Sequence, residues 1–171
     1  TWHTAEGTTA TPPYDKLEPR FKATILYNGA MWKGRTIASY VNGTDGWAAW
    51  KTDAKPEGRS TTGYYLRKLV DETHNFTSVQ ASTQPWTEIR YAEVLLNHAE
   101  ACYHLSGYAD KANKDIKDIR NRVGLPYSDK SGEDLMKAIR QERKVELAYE
   151  GHYYWDMRRW RLSPTAFTGI R

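Results

Sequence analysis

This sequence of 171 residues lacks several features that would assign it to a class of protein at once. It contains one cysteine, Cys102, so no disulfide can form within the chain. No apolar run approaches the roughly 18 residues that a membrane-spanning helix needs. Basic residues alternate with acidic ones instead of forming a run, which argues against a nucleic-acid interface although the formal net charge is +4. No signal peptide is visible, and Thr1-Trp2-His3 does not resemble a native start, so that absence says nothing about targeting.

Phenylalanine is also rare, whereas tryptophan and tyrosine are abundant. The chain has three Phe, seven Trp and twelve Tyr, so most of its aromatic side chains carry a polar group and suit half-exposed surfaces. The hydrophobic fraction of 39% is enough for one core. We therefore expect a single domain or a fragment of one over residues 1–171, with a hairpin and loops in 1–85 and a helical part in 86–171.

The first half is predicted to contain short strands and long loops. Residues 21–27 have strand propensity, and Asn28-Gly29 follows them, which favours a β-hairpin with residues 30–32. Residues 34–63 are rich in glycine and lack a clear period, so they predict a long surface loop of the kind that often carries function. Residues 64–70 are predicted to form a short strand.

The second half is predicted to be helical. One apolar stripe comprises Ile89, Ala92, Leu96, Ala99 and Tyr103, and a second comprises Ala109, Ala112, Ile116, Ile119 and Val123. The short connection at Gly107 predicts an antiparallel helical hairpin. Residues 91–124 have the 34-residue length of one tetratricopeptide unit, although a single copy establishes no repeat. Ser131 and Asp134 predict a capping box at the start of a third helix, which should pack on the hairpin.

A stretch at residues 138–160 joins acidic, basic and aromatic side chains. Glu142, Glu146 and Glu150 are spaced as neighbours on a helix surface, where like charges repel. Two carboxylates at this spacing also fit the distance that glycoside hydrolysis requires. However, a general acid needs a raised pKa, which the surrounding arginines and lysines oppose. We therefore predict a structural ion network, no catalytic residue, and cations opposite the glutamates, with Arg158, Arg159 and Arg161 following closely.

The strongest predicted binding residues are aromatic. Trp47 and Trp50 lie in the glycine-rich loop and are predicted to offer their faces to sugar rings, with Tyr40 and Trp32 as weaker candidates. The alternative is that these tryptophans fix the loop to the body of the protein. Trp155 and Trp160 are predicted to lie in the core.

His98 and Cys102 share one helix face, but two residues without a further motif favour packing over a metal site. We expect no metal, and a buried, unreactive Cys102 thiol.

Five segments together resemble the SusD/RagB family of outer-membrane nutrient-binding lipoproteins. The segments are residues 13–29 (PYDKLEPRFKATILYNG), 63–68 (GYYLRK), 90–101 (RYAEVLLNHAEA), 119–126 (IRNRVGLP) and 142–160 (ERKVELAYEGHYYWDMRRW). They follow the family's order, and the last is the most specific. The resemblance covers the C-terminal part of such a protein. Glu18 stands where the family commonly has Asp, and His152-Tyr153 stands where an Arg often follows Glu-Gly.

This resemblance implies a mainly α, SusD-like fold: a tetratricopeptide-type helical hairpin plus a third long helix, with a β-hairpin and long irregular loops in the first half. It implies a non-enzymatic glycan-binding protein, without a cofactor, that delivers oligosaccharide to a SusC-like TonB-dependent transporter at the outer membrane. The lipid anchor at the cell surface would lie outside this chain. The alternative is a helical protein–protein interaction module without a ligand of its own.

Overall fold

The computed structural model describes residues 2–3, 9–10, 14–47, 60–75, 77 and 79–166. The chain divides into two compact units, Thr1–Pro85 and Trp86–Arg171, and each is described by itself. Within the described ranges, no helix combines the length and the apolar character needed to cross a membrane.

The first unit consists of short elements. Three antiparallel two-stranded sheets pair β1 (Trp2–His3) with β2 (Thr9–Ala10), β3 (Ile25–Leu26) with β6 (Tyr65–Leu66), and β4 (Met31–Trp32) with β5 (Arg35–Thr36). A 3₁₀ turn at Tyr14–Lys16 precedes the helix α1 (Pro19–Thr24). The ring of Tyr14 stacks on Phe21, with centroids 5.7 Å apart, and lies tilted against Tyr27, with centroids 4.0 Å apart. These contacts join the turn to α1 and to the residue that follows β3.

The strand predicted over residues 21–27 is wrong for most of its length. α1 occupies Pro19–Thr24, and only Ile25–Leu26 is extended. Pro19 stands at the first turn of this helix, where its fixed φ angle is already helical and its missing N–H has no partner to lose. This start signal outweighs the β propensity of the residues that follow.

A β-hairpin is present in the first half, as predicted, but its turn lies elsewhere. Asn28-Gly29 does form a turn, in which the Ala30 N–H donates to the Tyr27 carbonyl at 3.0 Å and Gly29 has a φ of 93°. Its flanking strands pair with other partners. The hairpin is β4–β5, whose turn is Lys33-Gly34 with φ angles of 47° and 79°, the positive values that tight hairpin turns require.

The second unit is helical. Its elements are α2 (Tyr91–Tyr103), α3 (Ala109–Arg122), α4 (Gly132–Glu146), α5 (His152–Arg159) and α6 (Ser163–Ala166). Gly107 and Gly124 follow α2 and α3 with φ angles of 82° and 71°, the left-handed conformation that commonly ends helices. Ser131 is the residue before α4, but its side chain makes no capping hydrogen bond, so the predicted capping box does not form.

The core of this unit lies between α2, α3 and α4. One cluster of buried side chains contains Ala99, Cys102, Ala112, Ile116, Leu135 and Ile139, and a second contains Leu96, Ile119 and Leu147. Later residues of α2 therefore meet earlier residues of α3, which makes the two helices antiparallel. Residues from α4 complete the first cluster. The mainly α fold with a helical hairpin, a third long helix and a small β-hairpin is confirmed.

Candidate functional site

A cleft of about 340 Å³ opens in the first unit, between the β4–β5 hairpin and the β3–β6 pair. Its lining residues are Leu26, Trp32, Arg35, Ile37, Asp45, Tyr65 and Leu66. Leu26 and Ile37 are buried and form an apolar floor, whereas Trp32 and Tyr65 are half-buried aromatic walls. Small-molecule sites have this character, an apolar concavity of about 300–1,000 Å³ with a few placed polar groups.

Strand register places the lining residues. In the β4–β5 hairpin, Trp32 lies directly opposite Arg35, next to the Lys33-Gly34 turn. In the other pair, Leu26 lies opposite Tyr65. Each of these four strands therefore contributes at least one side chain to the cleft. The tight turn brings positions 32 and 35 together.

The polar part of the cleft is a doubly hydrogen-bonded ion pair. Arg35 donates from Nη1 to Asp45 Oδ2 and from Nη2 to Asp45 Oδ1, both at 2.7 Å. Asp45 is 4% exposed, and its Oδ2 also accepts from the Ala38 N–H at 2.9 Å. The hydrogen bonds to Asp45 raise the pKa of the Arg35 guanidinium, which therefore stays charged. The Tyr65 hydroxyl donates to the Asp45 carbonyl and ties that wall to the pair.

Two glycines hold the turn that carries Asp45. A Cβ added at Gly43 would lie 2.3 Å from the Ala38 carbonyl oxygen, and one at Gly46 would lie 2.0 Å from that of Tyr40. Both oxygens belong to the backbone, so a larger residue at either position would displace the turn. The glycines therefore position the carboxylate that fixes Arg35.

The structure places the four predicted binding residues differently. Trp32 lines the cleft and is partly buried. Trp47 is partly buried and Tyr40 is 47% exposed, and neither is among the residues that line the cleft. Trp50 lies outside the described residues. The roles of all four remain predictions.

Sequence reasoning missed Arg35, Asp45 and Tyr65. Arg35 and Asp45 are 10 positions apart, and Asp45 and Tyr65 are 20 positions apart, so only the fold brings them together. The signal that could have found Asp45 is its position between Gly43 and Gly46. Two nearby glycines after a hairpin favour a turn in which backbone segments approach closely. A glycine pair that flanks an acidic residue indicates a backbone held tightly around that side chain.

The predicted ion network on α4 is confirmed. Arg120 contacts Glu142 at 3.0 Å, Arg90 and Arg122 each contact Glu146 at 2.7 Å, and Arg90 contacts Glu150 at 2.6 Å. The cations come from the start of α2 and the end of α3. Of the arginines that follow Gly151, Arg159 pairs instead with Glu100 and Asp156. Helix α4 ends at Glu146, so Glu150 reaches Arg90 from the turn that follows.

The His98–Cys102 pair has the geometry of packing. Cys102 is buried and free, as predicted. Its Sγ lies 3.4 Å from His98 Nε2 and 3.9 Å from Nδ1, beside both nitrogens rather than in line with one of them. The Nδ1 atom contacts Asp115 Oδ2 at 2.5 Å. In the part of the chain that the structure describes, no group of three or more His, Cys, Asp or Glu side chains is arranged to hold a metal ion.

The prediction that Trp155 and Trp160 lie in the core needs correction. Trp155 is 65% exposed on α5, where its ring meets Tyr154 edge-on at 5.2 Å. Trp160 is partly buried, and its Nε1–H donates to Glu100 Oε1 at 2.7 Å. On this short helix, Asp156 and Met157 occupy the buried face instead, which turns Trp155 outward.

Comparisons with known proteins match the whole chain to a family model and part of it to a curated relative. A family model described as the SusD family matches residues 1–171. A curated relative, SusD-like protein P2 of Formosa agariphila, is 33% identical over 95 residues, which cover 50% of this chain and 19% of the relative. The chain thus corresponds to a small part of that relative's length. No solved structure matches the chain.

Proposed function

This chain belongs to the SusD family, and from that premise we propose that it forms part of a non-enzymatic, cell-surface protein that binds glycan nutrients. In this proposal the protein delivers oligosaccharide to a SusC-like TonB-dependent transporter in the outer membrane. A lipid anchor outside this chain would hold it at the surface. The family supports these assignments, and we propose the cleft of the first unit as the place where the ligand binds.

The observation that carries glycan binding is the combination of aromatic walls and a fixed polar pair in one cleft. Trp32 and Tyr65 line it together with Arg35 and Asp45. The C–H face of a pyranose ring is apolar and stacks on an aromatic ring, whereas its hydroxyl groups need hydrogen-bond partners. A cleft with both kinds of group meets both needs. Tyr40, Trp47 and Trp50 are proposed to extend this surface from the loop.

A binding role without catalysis is supported by the state of the acidic residues on α4. Glu142 and Glu146 are buried and each accepts hydrogen bonds from arginine. A glycoside hydrolase needs one carboxylic acid that holds a proton. Both carboxylates are already bound by arginines of neighbouring segments, so they are placed to join the helices rather than to act on a substrate.

A protein-docking module is the second candidate, and one feature of α5 favours it. Trp155 and Tyr154 are exposed, and the Arg158 guanidinium lies over both rings at 6.0 and 5.5 Å from their centroids. Trp, Tyr and Arg are the residue types most enriched at interaction hot spots. A partner that covers this face would explain the exposed Trp155.

Calorimetric titration of the intact protein with a panel of glycans tests the first candidate. We expect Trp32→Ala to weaken the binding of a recognised glycan by about 1–2 kcal/mol, the scale of a lost aromatic contact, or roughly five- to thirtyfold. Trp155→Ala is the matched control and should leave glycan affinity unchanged. Glycan binding that survives Trp32→Ala but is lost in Trp155→Ala would contradict the proposed site, and no binding to any glycan would favour the docking module.

A further inference from the structure

The hydrogen bonds of Arg35 leave one edge of its guanidinium group available. A guanidinium has five N–H donors in a planar fork. Arg35 donates one hydrogen bond from Nη1 and one from Nη2 to the Asp45 carboxylate, which therefore lies at the end of the fork. The Nη1 atom also donates to the Thr36 carbonyl at 3.5 Å. The Nε–H and the Nη2 hydrogen beside it form the other edge. Among the described residues, no acceptor is bound to that edge.

The Arg35 side chain is partly open to solvent, and its position is fixed. The Arg35 side chain lines the cleft and is 52% exposed, whereas its partner Asp45 is 5% exposed by side chain. Because the buried carboxylate and the hairpin turn hold the guanidinium in one orientation, a ligand would not have to order this long side chain on binding. Preorganisation of this kind favours affinity, since less side-chain entropy is lost.

We propose that the free edge of Arg35 donates two hydrogen bonds to a pair of adjacent hydroxyl groups on a neutral sugar ring stacked on Trp32. This inference rests on the proposed glycan-binding function and names the class of glycan: one with two free neighbouring hydroxyls on the bound residue. Two parallel donors match two oxygens on adjacent ring carbons. Trp32 and Arg35 face each other across the hairpin, so one ring can meet both.

A ligand carboxylate also matches such a fork, but charge balance disfavours it here. Asp45 already neutralises Arg35 at 2.7 Å. A second carboxylate on the opposite edge would place two negative charges around one cation, and like charges disfavour each other's ionised state. Hydroxyl oxygens accept the same two hydrogen bonds without this cost, so neutral glycans fit the cleft better than acidic ones.

The test compares Arg35→Lys with Arg67→Lys in the intact protein. Lysine keeps the positive charge but lacks the planar fork, so a bidentate site cannot be rebuilt by this substitution. Arg67 is the matched control, because it lies in the same unit outside the cleft and pairs with Glu72. The probes are a neutral polysaccharide that the parent protein binds, the same polysaccharide after periodate cleavage of its adjacent diols, and polygalacturonate.

We expect Arg35→Lys to weaken binding of the neutral polysaccharide about tenfold, as loss of a charge-assisted hydrogen bond predicts. Arg67→Lys should bind as the parent does, periodate treatment should abolish binding, and affinity should change little between low and high salt. If Arg35→Lys binds the neutral polysaccharide as tightly as the parent does, this inference is wrong, whereas the proposed glycan-binding function is not affected. If the parent protein prefers polygalacturonate and this binding weakens strongly at high salt, the free edge of Arg35 binds a carboxylate and the inference is wrong.

A second measurement needs no substitution and covers the case in which Arg35→Lys fails to fold. In a nitrogen–proton correlation spectrum of the intact protein, the Arg35 Nε–H signal should shift on addition of the neutral polysaccharide, while the Arg67 Nε–H signal stays in place. Binding without a shift at Arg35 would refute the inference. Absence of binding to every glycan tested would refute the proposed function as well.

Discussion

Glu146 shows how single side chains balance charge inside the helical unit. It is 3% exposed and accepts hydrogen bonds from Arg90, which precedes α2, and from Arg122, the last residue of α3. One buried carboxylate thus ties the ends of two helices to α4. Breaking a buried pair costs about 3–5 kcal/mol because the remaining charge loses its partner. Here both arginines keep some contact with water, so the cost should be smaller.

Glu146→Gln should lower the free energy of unfolding by about 1.5–3 kcal/mol, the scale of hydrogen bonds to charged groups. Thermal or urea unfolding of the intact protein measures it. Asp118→Asn is the matched control, since Asp118 forms an exposed pair with Lys114 on α3 and such pairs contribute about 0–1 kcal/mol. Equal melting curves for the two variants would contradict a structural role for the network.

At the scale of elements, Glu100 joins α2 to the end of α5. Its carboxylate accepts hydrogen bonds from Arg159 Nη2 at 2.6 Å and from Trp160 Nε1 at 2.7 Å. Burial by itself raises the pKa of Glu100, but the hydrogen bonds from Arg159 and Trp160 outweigh burial, so the pKa lies below its ordinary value. The contact between these helices therefore depends on the ionised carboxylate.

This lowered pKa predicts how stability varies with pH. Because the folded state favours the ionised form, the contribution of Glu100 is present above its unfolded pKa of about 4.3 and is lost as pH falls through the lowered folded value. The difference in melting temperature between the parent and Glu100→Gln should therefore be largest near pH 7 and shrink below about pH 4.3. Glu133→Gln, an exposed control on α4, should differ little from the parent at any pH. A Glu100 difference that stays constant down to pH 3 would argue against this account.

The sequence predicts the helices much better than the strands. The stripes that end at Tyr103 and Val123 have periodic apolar residues and glycine stops, so periodicity and local conformation agree. The strands are two residues long, too short for any period to show, and their pairing depends on contacts across the unit. At Pro19, a local helix-start signal outweighed the β propensity of residues 21–27, which a reading of propensity alone overlooks.

At the scale of the whole molecule, the chain has an irregular unit with the candidate cleft and a helical unit with the ion network. That the two form one domain remains a proposal. Trp32, which lines the cleft, could be predicted as a candidate because tryptophan beside a hairpin suits a surface site. Arg35, Asp45 and Tyr65 could not, because their approach depends on the Lys33-Gly34 turn and on the pairing of β3 with β6.

We propose that this chain contributes glycan contacts through the cleft of its first unit. The most direct measurement is a crystal structure of the intact protein with a bound oligosaccharide from the calorimetric panel. The account predicts a sugar ring stacked on Trp32, with adjacent hydroxyl oxygens within hydrogen-bond distance of Arg35 Nε and Nη2. A glycan bound elsewhere while the cleft remains empty would contradict it.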